Sequence, residues 1–244
     1  MNEFGRSKRA DDQPRRSAPR LNLAAGRVTA LEPQARKANR FNLYVDNHFA
    51  LGLSEYVAAR VHVGQELSTE QLAELARAEQ IEDAHERALR QLETRPRSEQ
   101  EVRSFLAGKK IPREIIDQAM ARLRQAQLLS DRDFARFWVE NREGFKPRSA
   151  RALKYELRRK GVPDEEIARV VAKLNERDSA YRAARGKGER WKSLDPEEFR
   201  AKLSGFLARR GFDYQVTRDT VSRIWKEVRG SDAAADEWLD QDMS

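Results

Sequence analysis

The side chains that most often carry catalytic chemistry are scarce in this sequence. With no cysteine among 244 residues, a thiolate nucleophile, an iron–sulfur cluster, a cysteine zinc site and a disulfide framework are excluded, and a cytosolic address is the expectation. The three histidines, His48, His62 and His85, show no metal-ligand spacing and read as one turn residue and two surface or interface residues. The paired acids Glu165-Glu166 and Glu197-Glu198 stand where helices begin, so negative charge there suits the helix dipole before it suggests acid–base work. GKK at 108–110 lacks the upstream glycine and the following Ser or Thr of a phosphate loop, and GKG at 186–188 lacks the rest of a dinucleotide fingerprint. Phe134, Phe137 and Trp138, at helical spacing, are expected in a core rather than around a cofactor. No catalytic, cofactor or metal residue is therefore assigned, and an enzyme is not expected.

What the sequence does offer is positive charge in particular places. The net charge of +8 divides into +6 over residues 1–40, −2 over 41–132, +9 over 133–229 and −5 over the last 15 residues, which hold five acids and no base. Between 148 and 159, at about 100° per residue, Leu153 and Leu157 face one way. Arg148, Arg151, Tyr155, Arg158 and Arg159 spread over the opposite side, with Lys154 at its edge. Guanidinium groups around an aromatic suit single-stranded or distorted nucleic acid, because charge tracks phosphates while a ring stacks on a base. An acidic protein groove would fit the same face, and so would plain solvation with Tyr155 packed on its neighbours. Arg182, Arg185, Lys187, Arg190 and Lys192 form a weaker cluster around Trp191, whose alternative is an ordinary helix end.

The elements that must position these residues are helical. Just over half of the chain is Ala, Glu, Lys, Arg or Leu, and no apolar run approaches the roughly 18 residues of a membrane span. Residues 1–38 lack any period and read as a disordered basic arm. Phe41, Leu43 and Val45, then Phe49, Leu51 and Leu53 after Asp46-Asn47, predict a hairpin with a tight turn, packed on Tyr56, Val57, Val61 and Leu67. Ser68 with Gln71 predicts the start of a long helix reaching Pro96, with a break near Ile81.

Sliding the sequence by 51 residues places Pro96-Arg97-Ser98, Val102, Leu106, Lys109 and Leu123 on Pro147-Arg148-Ser149, Leu153, Leu157, Lys160 and Leu174. A further 50 carries Leu153, Leu157, Lys160-Gly161-Val162 and Leu174 onto Leu203, Leu207, Arg210-Gly211-Phe212 and Ile224. The expected fold is all-α: a tandem array of three three-helix repeats, elongated and curved, after a small N-terminal β-hairpin and helix. The expected segments are the arm (1–38), the hairpin and helical segment (39–87), repeats over 88–130, 131–178 and 179–229, and an acidic tail (230–244). Apolar faces that need neighbouring repeats are expected. Only the second copy has the basic face: the first has Gln100, Arg103, Ser104, Ala107 and Gly108 for Arg151, Lys154, Tyr155, Arg158 and Arg159, and the third has Ala201, Ser204, Gly205, Ala208 and Arg209. The tail is expected to fold over the basic surface of repeats two and three through Asp236, Glu237, Trp238 and Asp240.

The segments FARFWVENREGFKPRSARALKYELRRKGV (134–162), RPRSEQEVRSFLAGKKIPREIIDQAMARL (95–123) and LSGFLARRGFDYQVTRDTV (203–221) resemble the three tandem modules of the RecX family, bacterial regulators of the recombinase RecA. The resemblance covers about residues 88–228, the preceding hairpin and helix are similar to those of longer members, and the arm and tail lie outside the shared pattern. It implies a non-enzymatic negative regulator, without cofactors, that lies along the groove of a RecA–single-stranded-DNA filament, suppresses ATP hydrolysis and strand exchange and promotes disassembly. That would place it in homologous recombination, DNA repair and the SOS response. The implied partners are the RecA-type filament and single-stranded DNA, with double-stranded DNA a further candidate; a monomer is expected. The alternative is a stand-alone nucleic-acid-binding helical-repeat protein without sequence preference.

Overall fold

The computed structural model describes residues 23–35 and 39–230, so the sequence-level expectations for residues 1–22 and for the tail after Gly230 lie outside the described residues. Two compact units are present, divided between Glu82 and Asp83.

The first unit contains a four-stranded antiparallel sheet of β1 (Gly26–Pro33), β2 (Arg40–Val45), β3 (His48–Ser54) and β4 (Glu66–Leu67), in the order β3-β2-β1-β4. Strands β2 and β3 form the expected hairpin. Its turn residues Asp46 and Asn47 both take positive φ, 48° and 62°, as a two-residue loop matched to strand twist requires. Strand β1 pairs with β2 and, through Gly26 and Arg27, with β4. This corrects two expectations. Residues 26–33 were placed in an unordered arm, and the sheet was a hairpin of two strands. The strand carries few apolar residues, but its backbone bonds to β2, and Val28 is buried. Strand formation follows from that context more than from the local sequence. The short helix α1 (Glu55–Ala58) packs Val57 into the unit, and Val61 and Leu67 are buried as expected. Tyr56 instead is 55% exposed, with the Arg60 guanidinium 4.9 Å from its ring.

Helix α2 (Thr69–Thr94) starts with the reciprocal cap of Ser68 and Gln71 and continues through Ile81 without a break. Its later part opens the second unit, followed by α3 (Glu99–Gly108) and α4 (Arg113–Gln125). The second repeat is α5 (Asp131–Phe145), α6 (Ala150–Arg159) and α7 (Asp164–Val171). The third is α8 (Glu176–Trp191), α9 (Pro196–Arg209) and α10 (Tyr214–Arg229). Each middle helix begins at a Ser or Asp that accepts from the backbone N–H three residues on: Ser98, Ser149 and Asp195.

Each repeat closes its own core. Val102, Leu106, Met120 and Leu123 cluster in the first; Phe134, Leu153, Leu157 and Ile167 in the second; Phe199, Leu203, Leu207 and Ile224 in the third. The expectation that the apolar faces need neighbouring repeats is therefore corrected, because periodicity shows which side of a helix is apolar and not what covers it. Phe137, expected in a core, is 36% exposed, whereas Phe134 is buried and Trp138 half-buried.

Polar contacts join successive repeats, and they recur. The N–H of Glu99 donates to Asp131 at 2.8 Å, and in the same way the N–H of Ala150 donates to Glu176 at 2.6 Å. Ser98 Oγ donates to the Lys160 carbonyl at 2.6 Å, while the Ser149 N–H donates to the Arg210 carbonyl at 3.2 Å. The turn of each later repeat thus sits on the capping residue of the one before. That approach explains the glycines. Gly161 (φ 77°) and Gly211 (φ 88°) are left-handed, and a Cβ would lie 2.4 Å from Gln100 Cβ and 2.6 Å from Ser149 Oγ respectively. Lys110 makes the same left-handed turn in the first repeat (φ 60°), so close approach, and not the turn alone, calls for glycine.

Candidate functional site

Helix α6 is fixed at both ends before its outer face is considered. Ser149 Oγ accepts from the Ala152 N–H at 3.1 Å. At the far end the N–H groups of Gly161 and Val162 donate to the carbonyls of Arg158 and Leu157, satisfying the last turn through the left-handed glycine. Leu153 and Leu157 are fully buried, which leaves the opposite side in solvent.

That side is where the sequence places its principal cluster, and the structure divides the six residues by what they touch. Arg151, Lys154 and Arg159 are exposed and make no ion pair among the described residues. Tyr155 is 63% exposed, with the Arg159 guanidinium 5.9 Å from its ring centre. Packing of Tyr155 on its neighbours, the bland alternative, is not what the fold shows. Arg158 is exposed too but meets Asp164 at 2.6 Å, an open ion pair of small worth. Arg148 does not share the face. Its Nε lies 3.1 Å from Glu156 Oε1, whose other oxygen accepts from Trp138 Nε1 and Arg142 Nε, each at 2.8 Å. Arg148 is therefore part of a clamp between α5 and α6.

The second cluster separates further. Arg182 pairs with Glu143 on α5. Lys187 lies over the rings of Trp191 (5.6 Å) and Phe206 (5.9 Å), which places its stem on the third core. Lys192 meets Glu189 at 2.6 Å. Arg185 and Arg190 are exposed but five residues apart, about 140° around α8, so no single face unites the cluster.

Elsewhere, the equivalent faces carry fewer cations, with Arg209 the one exposed and unpaired among the described residues. On α3 Arg103 pairs with Asp117, and on α9 the positions are Ala201, Ser204, Gly205, Ala208 and Arg209. The acidic pair Glu165-Glu166 is held by Arg169, and His48 Nδ1 lies 2.7 Å from the Asp46 carbonyl in the hairpin turn. Among the described residues no group of three or more His, Cys, Asp or Glu side chains could hold a metal ion, and no helix is long and apolar enough to cross a membrane.

Sequence reasoning missed two features. The first is the junction between repeats one and two, where Lys160 Nζ meets Glu101 at 2.7 Å and lies 4.4 Å from the Trp138 ring. Burial opposes ionisation of Glu101, but hydrogen bonds from Arg95 and Lys160 outweigh it and hold the carboxyl at about 2. The second is a groove of about 690 Å³ between α5, α7 and α8, rimmed by Arg132, Arg136, Arg169, Lys173 and Arg182. Recurrence of Lys109, Lys160 and Arg210 at one repeat position signalled the first. Nothing local signalled the second, because its cations come from three helices.

Three self-contained three-helix repeats following a small antiparallel sheet in the chain, with a cluster of unpaired cations on the middle helix of the second among the described residues, define a tandem helical-repeat protein. Matches to four family models follow the same plan: the N-terminal domain of regulatory protein RecX over residues 26–68, and the first, second and third RecX three-helix domains over 84–123, 130–171 and 175–221. The chain belongs to the RecX family. Among similar proteins, a regulatory protein RecX of Mycobacterium sp. (strain KMS) is 36% identical over 149 residues, covering 58% of this chain and 81% of the relative. One from Clostridium perfringens (strain 13 / Type A) is 26% identical over 206 residues, covering 82% and 96%. The fold is shared with a crystal structure of regulatory protein RecX, with TM-score 0.66 and 24% identity over 80% of this chain and 98% of that one. RecX from Lactobacillus salivarius superposes with TM-score 0.54 at 20% identity, over 62% of this chain and 99% of that one.

Proposed function

We propose that this protein is a negative regulator of a RecA-type recombinase. It acts as a monomer in the cytoplasm, lies in the groove of the recombinase–single-stranded-DNA filament, slows ATP hydrolysis and strand exchange, and promotes disassembly. The observation that supports this most is the α6 face: Arg151, Lys154 and Arg159 have no ion pair among the described residues and surround an exposed Tyr155, on a helix whose counterparts carry fewer cations. Such a face can meet phosphates and stack on an unpaired base, so it favours single-stranded DNA over double-stranded. Arg158 contributes more weakly, and Arg148 through the placement of α6. In this reading the protein hydrolyses nothing itself.

The test is the DNA-dependent ATPase of the recombinase with and without substoichiometric protein. Slowed turnover, with no hydrolysis by the protein alone, is the expected result. Undiminished turnover at saturation, with single-stranded DNA still bound, would favour the second reading: a stand-alone nucleic-acid-binding protein, which the exposed Tyr155 among arginines also supports.

A further inference from the structure

The groove between α5, α7 and α8 has a composition that the α6 face lacks. Val139, Val170 and Leu174 give it an apolar floor, and five cations stand around it. Three of the five have partners: Arg136 meets Asp133 at 2.8 Å, Arg169 meets Glu165 and Glu166, and Arg182 meets Glu143. Arg132 and Lys173 have none among the described residues. Glu140 and Glu143 also line the groove, and Asp133, Glu165 and Glu166 stand against its paired cations, so the positive charge it leaves open is that of Arg132 and Lys173. One Glu143 oxygen, Oε1, is buried without a hydrogen-bond partner. The positions matching Arg132, Arg136, Arg169 and Lys173 are Ile81, His85, Gln118 and Arg122 at the shift of 51, and Arg182, Gly186, Asp219 and Arg223 at the shift of 50. Neither neighbouring copy repeats the set, so the fold does not require it.

A ligand for this groove should be an acidic segment with apolar side chains at its centre, and the chain carries one. Residues 231–244 contain five acids and no base, and Asp236-Glu237 and Asp240 flank Trp238-Leu239. The described chain ends within reach of the groove. Arg229 donates to the Leu194 carbonyl at 2.6 Å, just past the end of α8, and Arg182 at the groove lies back along that helix by roughly 18 Å. Trp238 follows Gly230 by eight positions, enough to span about 26 Å when extended. A segment so tethered is present at an effective concentration in the millimolar range.

We infer that the α5/α7/α8 groove is a docking site for the chain's own tail, residues 231–244. Trp238 and Leu239 rest on Val139, Val170 and Leu174 while the flanking acids meet Arg132 and Lys173. An acidic partner must displace the tail to reach the groove, and the α6 face stays free.

Because the chain has no cysteine, one introduced pair reads the contact directly in the full-length protein. Ala172 is exposed beside Lys173 and Gln241 follows Asp240, so Ala172→Cys with Gln241→Cys leaves every proposed contact intact. Mild oxidation at low salt should close an intramolecular disulfide at least ten-fold faster than in the control pairing Gln241→Cys with Arg151→Cys on α6. Adding Arg132→Glu and Lys173→Glu, both on the surface, should slow it at least ten-fold. Equal rates for the two pairs would mean a tail without a seat; faster closure with α6 would place it on the other face; dimers alone would mean docking in trans. Each overturns the inference, as does failure to close while single-stranded oligonucleotide shields Ala172→Cys from a thiol reagent. The assay contains no recombinase, so its failure is distinct from failure of the regulatory role.

Discussion

Replacing Arg151, Lys154 and Arg159 together by Ala removes the three cations of α6 that no acid among the described residues engages, and their number sets the size of the effect. Each phosphate contact on a single strand contributes about 0.7 to the slope of log affinity against log salt, so three contribute about 2.1. Over a four-fold rise in salt, from about 50 to about 200 mM, that slope amounts to roughly an 18-fold difference. Fluorescence anisotropy with a labelled single strand should therefore show the parent losing about 18-fold more affinity than the variant over this range, whatever the base sequence. Stability should change by no more than about 0.5 kcal/mol, because the replaced side chains are exposed. Leu157→Ala is the matched control: it empties a fully buried site and should cost about 2–5 kcal/mol. A variant that keeps the parental slope would show the face to be solvated surface only. One that unfolds while Leu157→Ala does not would mean that α6 faces the other way.

Other consequences follow from the junctions and the clamp. Gly161→Ala and Gly211→Ala should each destabilise by more than the roughly 1–2 kcal/mol of a left-handed residue, since the new Cβ also meets Gln100 or Ser149; Gly186→Ala, with open space around it in α8, should stabilise by about 0.5–1 kcal/mol in urea unfolding. Glu101 has its folded pKa depressed to about 2 from 4.5, so its stabilisation is complete above pH 4.5 and is lost as pH falls toward 2. The shift corresponds to about 3 kcal/mol before screening by solvent reduces it at this partly exposed site, read as the difference between parent and Glu101→Gln melting curves across that window; parallel curves would refute it. Arg148→Ala should lower the melting temperature with little change in the salt slope, and Arg158→Ala, already facing Asp164, should change the slope less than Arg159→Ala.

The repeat period, the middle-helix caps and the core positions were legible because each depends on residues close in sequence. Ser98, Ser149 and Asp195 each cap a helix through the N–H three residues on, and Leu153, Leu157, Leu203 and Leu207 are buried where a helical period puts them. Strand β1 was not legible. Val28 and Leu31 are its main apolar signal, and what holds it is the ladder to β2, from Pro33↔Phe41 out to Val28↔Val45, which the strand's own residues do not encode. Arg148 was misplaced for a related reason: helical angle puts it near Arg151, but Glu156, an acid amid bases on α6, collects it together with Arg142 and Trp138. That isolated acid was the available clue.

Net charge alone thus overstates the binding surface of the second repeat. Arg142 and Arg148 serve the α5–α6 clamp, Lys160 serves the junction with Glu101, and Arg169 holds its own helix start. Apart from Lys146 at the end of α5 and Arg177, which faces Asp219, the cations left over fall on two separate places, the outer side of α6 and the α5/α7/α8 groove. The inter-repeat contacts explain how this could arise. They use the cap at the start of each middle helix and the turn at its end, and apart from Gln100, which meets Gly161, they leave the outward positions between them unconstrained. Arg151, Lys154, Tyr155 and Arg159 occupy those outward positions, so the repeat can gain or lose a binding face while its core and junctions stay the same. Ala201, Ser204 and Gly205 at the matching places of α9, over the equally buried Leu203 and Leu207, are the demonstration within the same chain.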